Sequence, residues 1–333
     1  MNLLQLKNQW LPICHVKKIS QRPQRFLLLN MPIVVFRPKD QIIALQDRCP
    51  HRGAPLSAGK MDGDLLQCAY HGWRFNASGE CVAIPGLTKK INCTDKKVPA
   101  YPTQIHQDLV FVCLDEDENT APLYSIAALQ TEQYCSHFMQ FKLKGDVLNI
   151  IENVLDATHT HFVHGGLLRH DNKRQNITAK LSVNDVRAEI RYENEQKQSG
   201  WMSSLFEKSR GFSIGRFHFP LVAELEYHGH QSLTASFTFF LSPITDANEH
   251  HIFLLISYRK HWLTSWIKKL FLLPFFKLAL KQDKIILGKQ RANLVYFPDA
   301  QFKSTELDIL RPHIERILNS KSVIYNKTFN LNV

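Results

Sequence analysis

The chain has 333 residues, 44% apolar and 21% charged, which suits one or two soluble globular domains. Its formal net charge of +11 permits an acidic partner protein, a nucleic acid or an anionic membrane surface. No C2H2 spacing, RNA-binding signature or dense basic run favours nucleic acid, and no apolar stretch reaches the roughly 18 uninterrupted residues expected of a spanning helix. The start, Met1 to Lys18, lacks the basic segment, apolar run and cleavage site of a secretory leader, so a cytoplasmic location is expected. From residue 8 to about 116 the pattern is short and β-rich: Arg25–Asn30, Pro32–Pro38, Gln41–Asp47, Asp64–Tyr70 and Leu109–Asp115. Turn residues separate these runs, as at Pro38-Lys39-Asp40, Met61–Asp64 and Asn76–Gly79. Asp115 to Pro122 reads as a linker, which predicts an all-β domain over 8–116 and a second domain over 117–333. In the second, a helix is expected over 146–163, strands over 177–192 and 232–258, a helix over 262–294 broken or entered at Pro274, and a helix over 304–319.

The first domain carries two half-motifs, Cys49-Pro50-His51-Arg52-Gly53 and Cys68-Ala69-Tyr70-His71-Gly72-Trp73, which together read C-x-H-x16-C-x2-H. Two sulfurs and two imidazole nitrogens can hold either a zinc ion or a [2Fe-2S] cluster of the Rieske type, in which histidines replace two of the four cysteines. Zinc fingers usually group their ligands by kind, whereas here each half supplies one of each. Gly53 and Gly72 fit tight turns that bring backbone N–H groups near the sulfurs. The other cysteines (Cys14, Cys81, Cys93, Cys113 and Cys135) form an odd, scattered set, which reads as thiols in a reducing compartment rather than a disulfide framework.

The segments C-P-H-R-G-A-P-L-S and C-A-Y-H-G-W-R-F are similar to the cluster-binding loops of Rieske non-haem iron oxygenases. The resemblance covers nearly the whole chain, because Asn153-x2-Asp156-x2-His159-x4-His164 resembles that family's mononuclear-iron motif. It implies an α+β protein, with the Rieske domain followed by a helix-grip catalytic domain in which an antiparallel sheet packs on helices. Iron that activates O2 is typically held on one face by two histidines and a carboxylate, leaving open positions. The resemblance assigns His159 and His164 as iron ligands and favours Asp283, in Lys281-Gln282-Asp283-Lys284, as the acid. Asp156 and His159, at i and i+3, would share one face of a helix. His159 and His164, at i and i+5, would meet only if that helix ends or bulges near Phe162. His161 is expected to point elsewhere, as a surface or core-edge histidine. By the resemblance, Asp156 accepts hydrogen bonds from His159 and from His71 of a neighbouring subunit, orienting a ligand and carrying electron coupling. Asn153 is a candidate hydrogen-bonding residue near the iron, or a helix-local polar residue.

The expected activity is that of a terminal oxygenase, hydroxylating or O/N-demethylating an apolar or aromatic small molecule with O2. A ring dioxygenase, an oxygenase of a lipid-like or sterol-like substrate and an electron-transfer protein without oxygen chemistry are the alternatives. There is no G-x-G-x-x-G loop and no plant-type ferredoxin cysteine pattern. NAD(P)H would therefore act only indirectly, through a separate ferredoxin or flavin reductase. Arg52, Lys60, Trp73 and Arg74 are candidates for its docking site, with a solvated loop surface as the other reading. The resemblance also implies a head-to-tail homotrimer. Phe-rich segments at 211–219 and 236–240 are candidates for the pocket wall or the core. The basic, aromatic stretch Trp262–Lys277 reads either as a weak membrane-surface helix or as a core helix leading to Asp283.

Overall fold

A computed structural model describes residues 3–87, 95–115, 122–170, 174–194, 211–230, 232–245, 249–260, 265–321 and 324–332, with backbone only at 3–4 and 265–273. These form two compact units, one of Asn2–Leu123 with Ser242–Ala247, the other of Tyr124–Leu241 with Asn248–Val333. The expected domain boundary, between 116 and 117, lies outside the described residues.

The first unit is built of short strands: β1 (Leu11–His15), β2 (Gln24–Leu28), β3 (Met31–Phe36), β4 (Ile43–Gln46), β5 (Lys60–Asp62), β6 (Leu65–Gln67), β7 (Arg74–Phe75), β8 (Cys81–Ala83), β9 (Ala100–Tyr101), β10 (Thr103–His106) and β11 (Leu109–Val112). They form three sheets, ordered β1-β11-β10, β2-β3-β4-β9 and β5-β6-β7-β8. Branched and aromatic side chains such as Val34, Phe36, Leu45, Leu66 and Phe75 are withdrawn from water in one core cluster, and this burial is the main stabilising contribution. Cys49 and Cys68 belong to the same cluster. Cys49 follows β4, and Cys68 lies between β6 and β7.

The second unit contains β12 (Tyr134–Lys144), α1 (Val147–Leu155), β13 (Asn176–Val183), β14 (Arg187–Glu193), β15 (Phe212–His218), β16 (Val222–His228), β17 (Leu233–Thr245), β18 (Glu249–Arg259), α2 (Ser265–Leu294), α3 (Arg311–Leu318) and β19 (Tyr325–Asn332). Eight of its strands make one sheet in the order β12-β18-β17-β16-β15-β14-β13-β19. Helix α1 packs on β15 and β16, and α2 packs on β12. Strand alternation sorts the two faces. Gly215, Leu225, Phe237 and Phe239 line a cavity. Between them in sequence, Arg216 pairs with Glu189, Glu224 and Glu226 at 2.6, 2.5 and 3.2 Å, and Thr238 donates to Glu224 at 2.7 Å. This network cross-links β14 to β17.

Three helix expectations are corrected. The helix expected over 146–163 stops at Leu155. Asp156 ends it, because its carboxylate accepts the backbone N–H groups of Thr158 at 2.7 Å and His159 at 3.0 Å, a local bond that competes with helix continuation. A single 3-10 turn, His159–His161, follows. At the other end Asp146 caps α1, accepting from Leu148 N at 2.9 Å. Helix α2 runs unbroken through Pro274. The helix expected over 304–319 is confined to Arg311–Leu318. Asp308 accepts from the Thr305 N–H and hydroxyl, holding the preceding segment in a turn, and Pro312 suits the first turn of α3. Residues 262–264 and the side chains of 265–273, in the stretch considered for a membrane surface, lie outside the described set. Among the described residues, no helix is long and apolar enough to cross a membrane.

Two candidate metal centres and an apolar cavity

Each cysteine–histidine loop is folded by the same pair of backbone bonds. Cys49 N–H donates to Ala54 O at 2.8 Å, and Gly53 N–H to Cys49 O at 2.9 Å. In the second loop Cys68 N–H donates to Trp73 O at 2.8 Å, and Gly72 N–H to Cys68 O at 3.1 Å. The glycines close these turns at φ +73° and +70°, a region that side chains with a Cβ disfavour. The thiols point inward, each cysteine being 2% exposed, while the imidazoles lie nearer the surface. The His51 and His71 rings approach to 4.5 Å between centroids, and Trp73 stacks on His51 at 4.7 Å and 6°.

Burial pushes the Cys49 thiol up to about 11, the neighbouring Cys68 adds to this, and backbone N–H groups of His51 and Arg52 act in the opposite direction. Burial, with the charges of His71 and Arg52, holds His51 below its ordinary value. His51 Nδ1 is buried without a hydrogen-bond partner, an unmet donor set that a metal would complete. Among the described residues, the trio in which every donor lies within 4.8 Å of the others is found elsewhere. Two buried thiols and two imidazoles nearer the surface fit the two-sulfur, two-nitrogen ligand set of a Rieske cluster.

The close trio is His159, His164 and Asp283. His164 Nε2 lies 3.1 Å and His159 Nε2 3.7 Å from Asp283 Oδ1. His159 comes from the 3-10 turn, His164 from the segment after it, and Asp283 from α2. Because α1 ends at Leu155, Asp156 and His159 do not share a helix face; they face each other across a turn, with His159 Nδ1 3.4 Å from Asp156 Oδ2. Burial alone would raise the Asp156 carboxyl, but His159 and the hydrogen bonds from Thr158 outweigh it and hold the group below its usual value. Burial likewise would lower His164, yet Asp283 and Gln282 raise it. Gln282 Oε1 meets His164 Nδ1 at 2.9 Å, which turns Nε2 toward Asp283. Asn153 Nδ2 reaches Asp283 Oδ1 at only 3.5 Å. Two imidazoles and one carboxylate converging from one side fit a mononuclear iron with open positions.

His161 is turned away into the interior, 4% exposed, with Nδ1 3.3 Å from His170 O. Arg74 Nε pairs with Asp62 Oδ2 at 2.7 Å, and Arg52 and Lys60 are exposed. Sequence reasoning gave Gln282 no role, although it adjoins Asp283, and placed Trp73 at a docking surface rather than against His51. A spacing pattern carries no signal for either contact, since both are made in three dimensions.

The trio forms part of the wall of a cavity of about 280 Å³. Its lining is mostly apolar, drawn chiefly from α1, α2, β12 and β14 to β18, with Phe141, Ile214, Leu225, Phe239 and Phe275 among it. Of the Phe-rich segments, Phe237 and Phe239 line the cavity. Phe217 is buried core, and Phe212 stacks on His228 at 4.3 Å.

Comparison with known proteins agrees with this layout. Residues 9–102 match the Rieske [2Fe-2S] domain, and residues 143–320 match the vanillate O-demethylase oxygenase C-terminal domain. The chain is 33% identical over 183 residues to pheophorbide a oxygenase, chloroplastic, from Oryza sativa subsp. japonica, covering 47% of this chain and 33% of that protein. It is 28% identical over 185 residues to methylxanthine N1-demethylase NdmA of Pseudomonas putida, covering 51% and 50%. These matches span between a third and a half of the curated relatives' lengths. The fold superposes on Pseudomonas putida CBB5 NdmA with caffeine at TM-score 0.80 and 21% identity, covering 95% and 91% of the two chains. It superposes on dicamba monooxygenase bound to dicamba at TM-score 0.78 and 19% identity, covering 95% and 97%.

Proposed function

Since the chain belongs to the vanillate O-demethylase oxygenase C-terminal domain family and carries a Rieske [2Fe-2S] domain ahead of that match, we propose that it is the terminal component of a Rieske non-haem iron oxygenase. In this reading it uses O2 and externally supplied electrons to hydroxylate, or to O- or N-demethylate, an apolar or aromatic small molecule. The observation that carries the reading is the convergence of His159, His164 and Asp283 on an apolar cavity, in a chain that also holds a two-cysteine, two-histidine pair of loops. Cys49, His51, Cys68 and His71 would hold the cluster, and His159, His164 and Asp283 the iron. Bound there, the iron would supply oxygen activation and the cluster the electrons for it.

The chain's own side chains position and exclude. Gln282 fixes the His164 ring through Nδ1, and Asp156 holds the His159 backbone N–H while facing its ring. The apolar walls keep bulk water from the reacting carbon. Asp156 also bridges to His71 of the partner subunit in a head-to-tail homotrimer. Electrons come from NAD(P)H through a separate ferredoxin or flavin reductase, and exposed Arg52 and Lys60 attract an acidic donor. The six cysteines among the described residues form no disulfide, which suits a reducing compartment, the cytoplasm.

A single-turnover reaction under isotopically labelled O2 tests the reading, using pre-reduced, iron-loaded protein and a panel of aromatic and apolar compounds. One labelled oxygen in a product, or loss of a methyl group, is the expected result. Two labelled atoms would move the protein to the dioxygenase class. No incorporation across the panel, with both metals assayed as present, would count against oxygenase chemistry.

A further inference from the structure

The cavity is longer than the metal trio requires. Phe275, Phe276, Ala279, Asp283 and Leu287 line it from α2, a stripe at helical spacing that spans about 18 Å. From the sheet, Ala235, Phe237, Phe239 and Leu241 line it at alternate positions of β17, over about 20 Å. Phe276 and Phe237 touch, with ring centroids 4.5 Å apart, which joins the two walls at that point. Along α2, Asp283 lies about 10 Å beyond Phe276 and about 6 Å before Leu287. The cavity therefore continues on both sides of the trio, with its longer arm running toward Phe276.

Among the described residues charge is scarce along this length: apart from the trio and Asp156, the charged side chain on the wall is Arg169, and its Nη1 donates to the Ala157 carbonyl at 3.1 Å. At the Phe276 end the wall includes Thr234, at the start of β17, and Tyr258, at the end of the neighbouring β18. An anionic ligand would lose its hydration with little in return, whereas an extended hydrocarbon skeleton would be desolvated against apolar walls throughout.

We propose that the substrate is an uncharged, elongated apolar molecule that lies on both sides of the iron site, so that the oxidised atom falls within its length. Its longer arm rests against Phe237 and Phe276, and a single hydroxyl or carbonyl reaches the Thr234–Tyr258 end. This deepens the oxygenase reading and rests on it for the position of oxidation.

Equilibrium dialysis of the oxidised holoenzyme, with no electron donor, tests the binding. The probes are 1-dodecanol, 1-decanol, progesterone as a neutral fused-ring skeleton, dodecanoate, benzoate and benzyl alcohol. At least one of dodecanol and progesterone should bind ten times or more tighter than dodecanoate and benzoate, and the tighter of the two separates chain from fused-ring skeletons. If dodecanol is preferred, 1-decanol should bind about tenfold weaker, the effect of losing two buried methylenes. Dodecanoate or benzoate binding as tightly as the best neutral probe overturns the inference. Ala279→Leu narrows the passage between Phe276 and Asp283 and should weaken the preferred long probe at least tenfold while sparing benzyl alcohol. Phe276→Ala, which removes the clamp rather than filling space, should also weaken the long probe. Unchanged long-probe affinity in both variants overturns the two-armed arrangement. Tight binding of a long probe without later oxygen incorporation would refute the oxygenase reading and leave the cavity assignment standing. Incorporation into benzoate by a protein that binds no long probe would do the reverse.

Discussion

The two candidate metal centres are held in opposite ways. In the first unit the donors sit on two short loops whose shape is set by their own backbone, with the same two hydrogen bonds in each and a glycine at positive φ closing each turn. In the second unit the donors come from a 3-10 turn, the segment after it and a helix more than a hundred residues further along the chain. There the aim depends on side chains, namely Gln282 on His164, and Asp156 on His159 and its backbone. A backbone-built site tolerates changes around it and fails when its turns fail. A side-chain-built site loses affinity one contact at a time.

Removing a ligand from each site should separate the two most strongly. Cys68→Ser is expected to abolish the visible absorption and reduced-state magnetic resonance signal of the cluster. Because Cys68 lies in the core of the first unit, the variant should also melt earlier. Iron bound at His159, His164 and Asp283 should survive, as metal analysis would show. If both kinds of iron disappear together, the independence of the two sites is wrong. Asp283→Ala is the converse. It should weaken mononuclear iron by more than the roughly 10–100-fold typical of losing an outer hydrogen-bond partner and eliminate turnover, with the cluster spectrum unaltered.

Gln282→Leu probes the side-chain contact directly. The His164 ring loses the acceptor on Nδ1, and mononuclear iron affinity should fall about 10–100-fold, measured by competition with a chelator. Gln282→Glu keeps an acceptor and should recover most of that loss. Equal iron affinity in Leu and wild-type proteins would mean that packing, not this bond, holds the ring.

The same contrast explains what could be read from the sequence. A site folded by local turns writes itself into local spacing, and C-x-H-x16-C-x2-H carried both ligand types, their order and their glycines. The second site was legible only in part. His159 and His164 stood out as a pair, but the helix expected to carry them ends at Leu155, because Asp156 bonds forward to Thr158 and His159. An aspartate's choice between helix and turn depends on such a bond, and periodicity does not encode it. Gln282 was invisible for the same reason. In the fold, apolar runs gave away β2, β3, β4, β6 and β11 of the first unit but not its other, mostly shorter strands, while β12 was missed because its half-covered residues show no clean alternation of buried and exposed positions. Edge strand β19, largely exposed, likewise offered no apolar pattern to find.

The smallest expected effect lies within the backbone-built site, between its two glycines. Both have positive φ, so alanine at either costs about 1–2 kcal/mol for the left-handed conformation alone. Around Gly53 an added Cβ meets nothing within 4 Å, so Gly53→Ala should show that cost and little more. At Gly72 the added Cβ would sit 3.0 Å from Pro85 Cγ and 3.2 Å from Gln67 Nε2, so the loop must shift as well. Gly72→Ala should therefore lower the unfolding midpoint further than Gly53→Ala and reduce cluster occupancy on purification. Asparagine tolerates positive φ better than other side chains, so Gly53→Asn should lie between wild type and Gly53→Ala. Should Gly53→Ala and Gly72→Ala prove equally harmful, backbone conformation alone sets the loops, and the contact with Pro85 is irrelevant to them. Should neither matter, the turns are held by the cluster and not by the chain, and the contrast between the two centres dissolves.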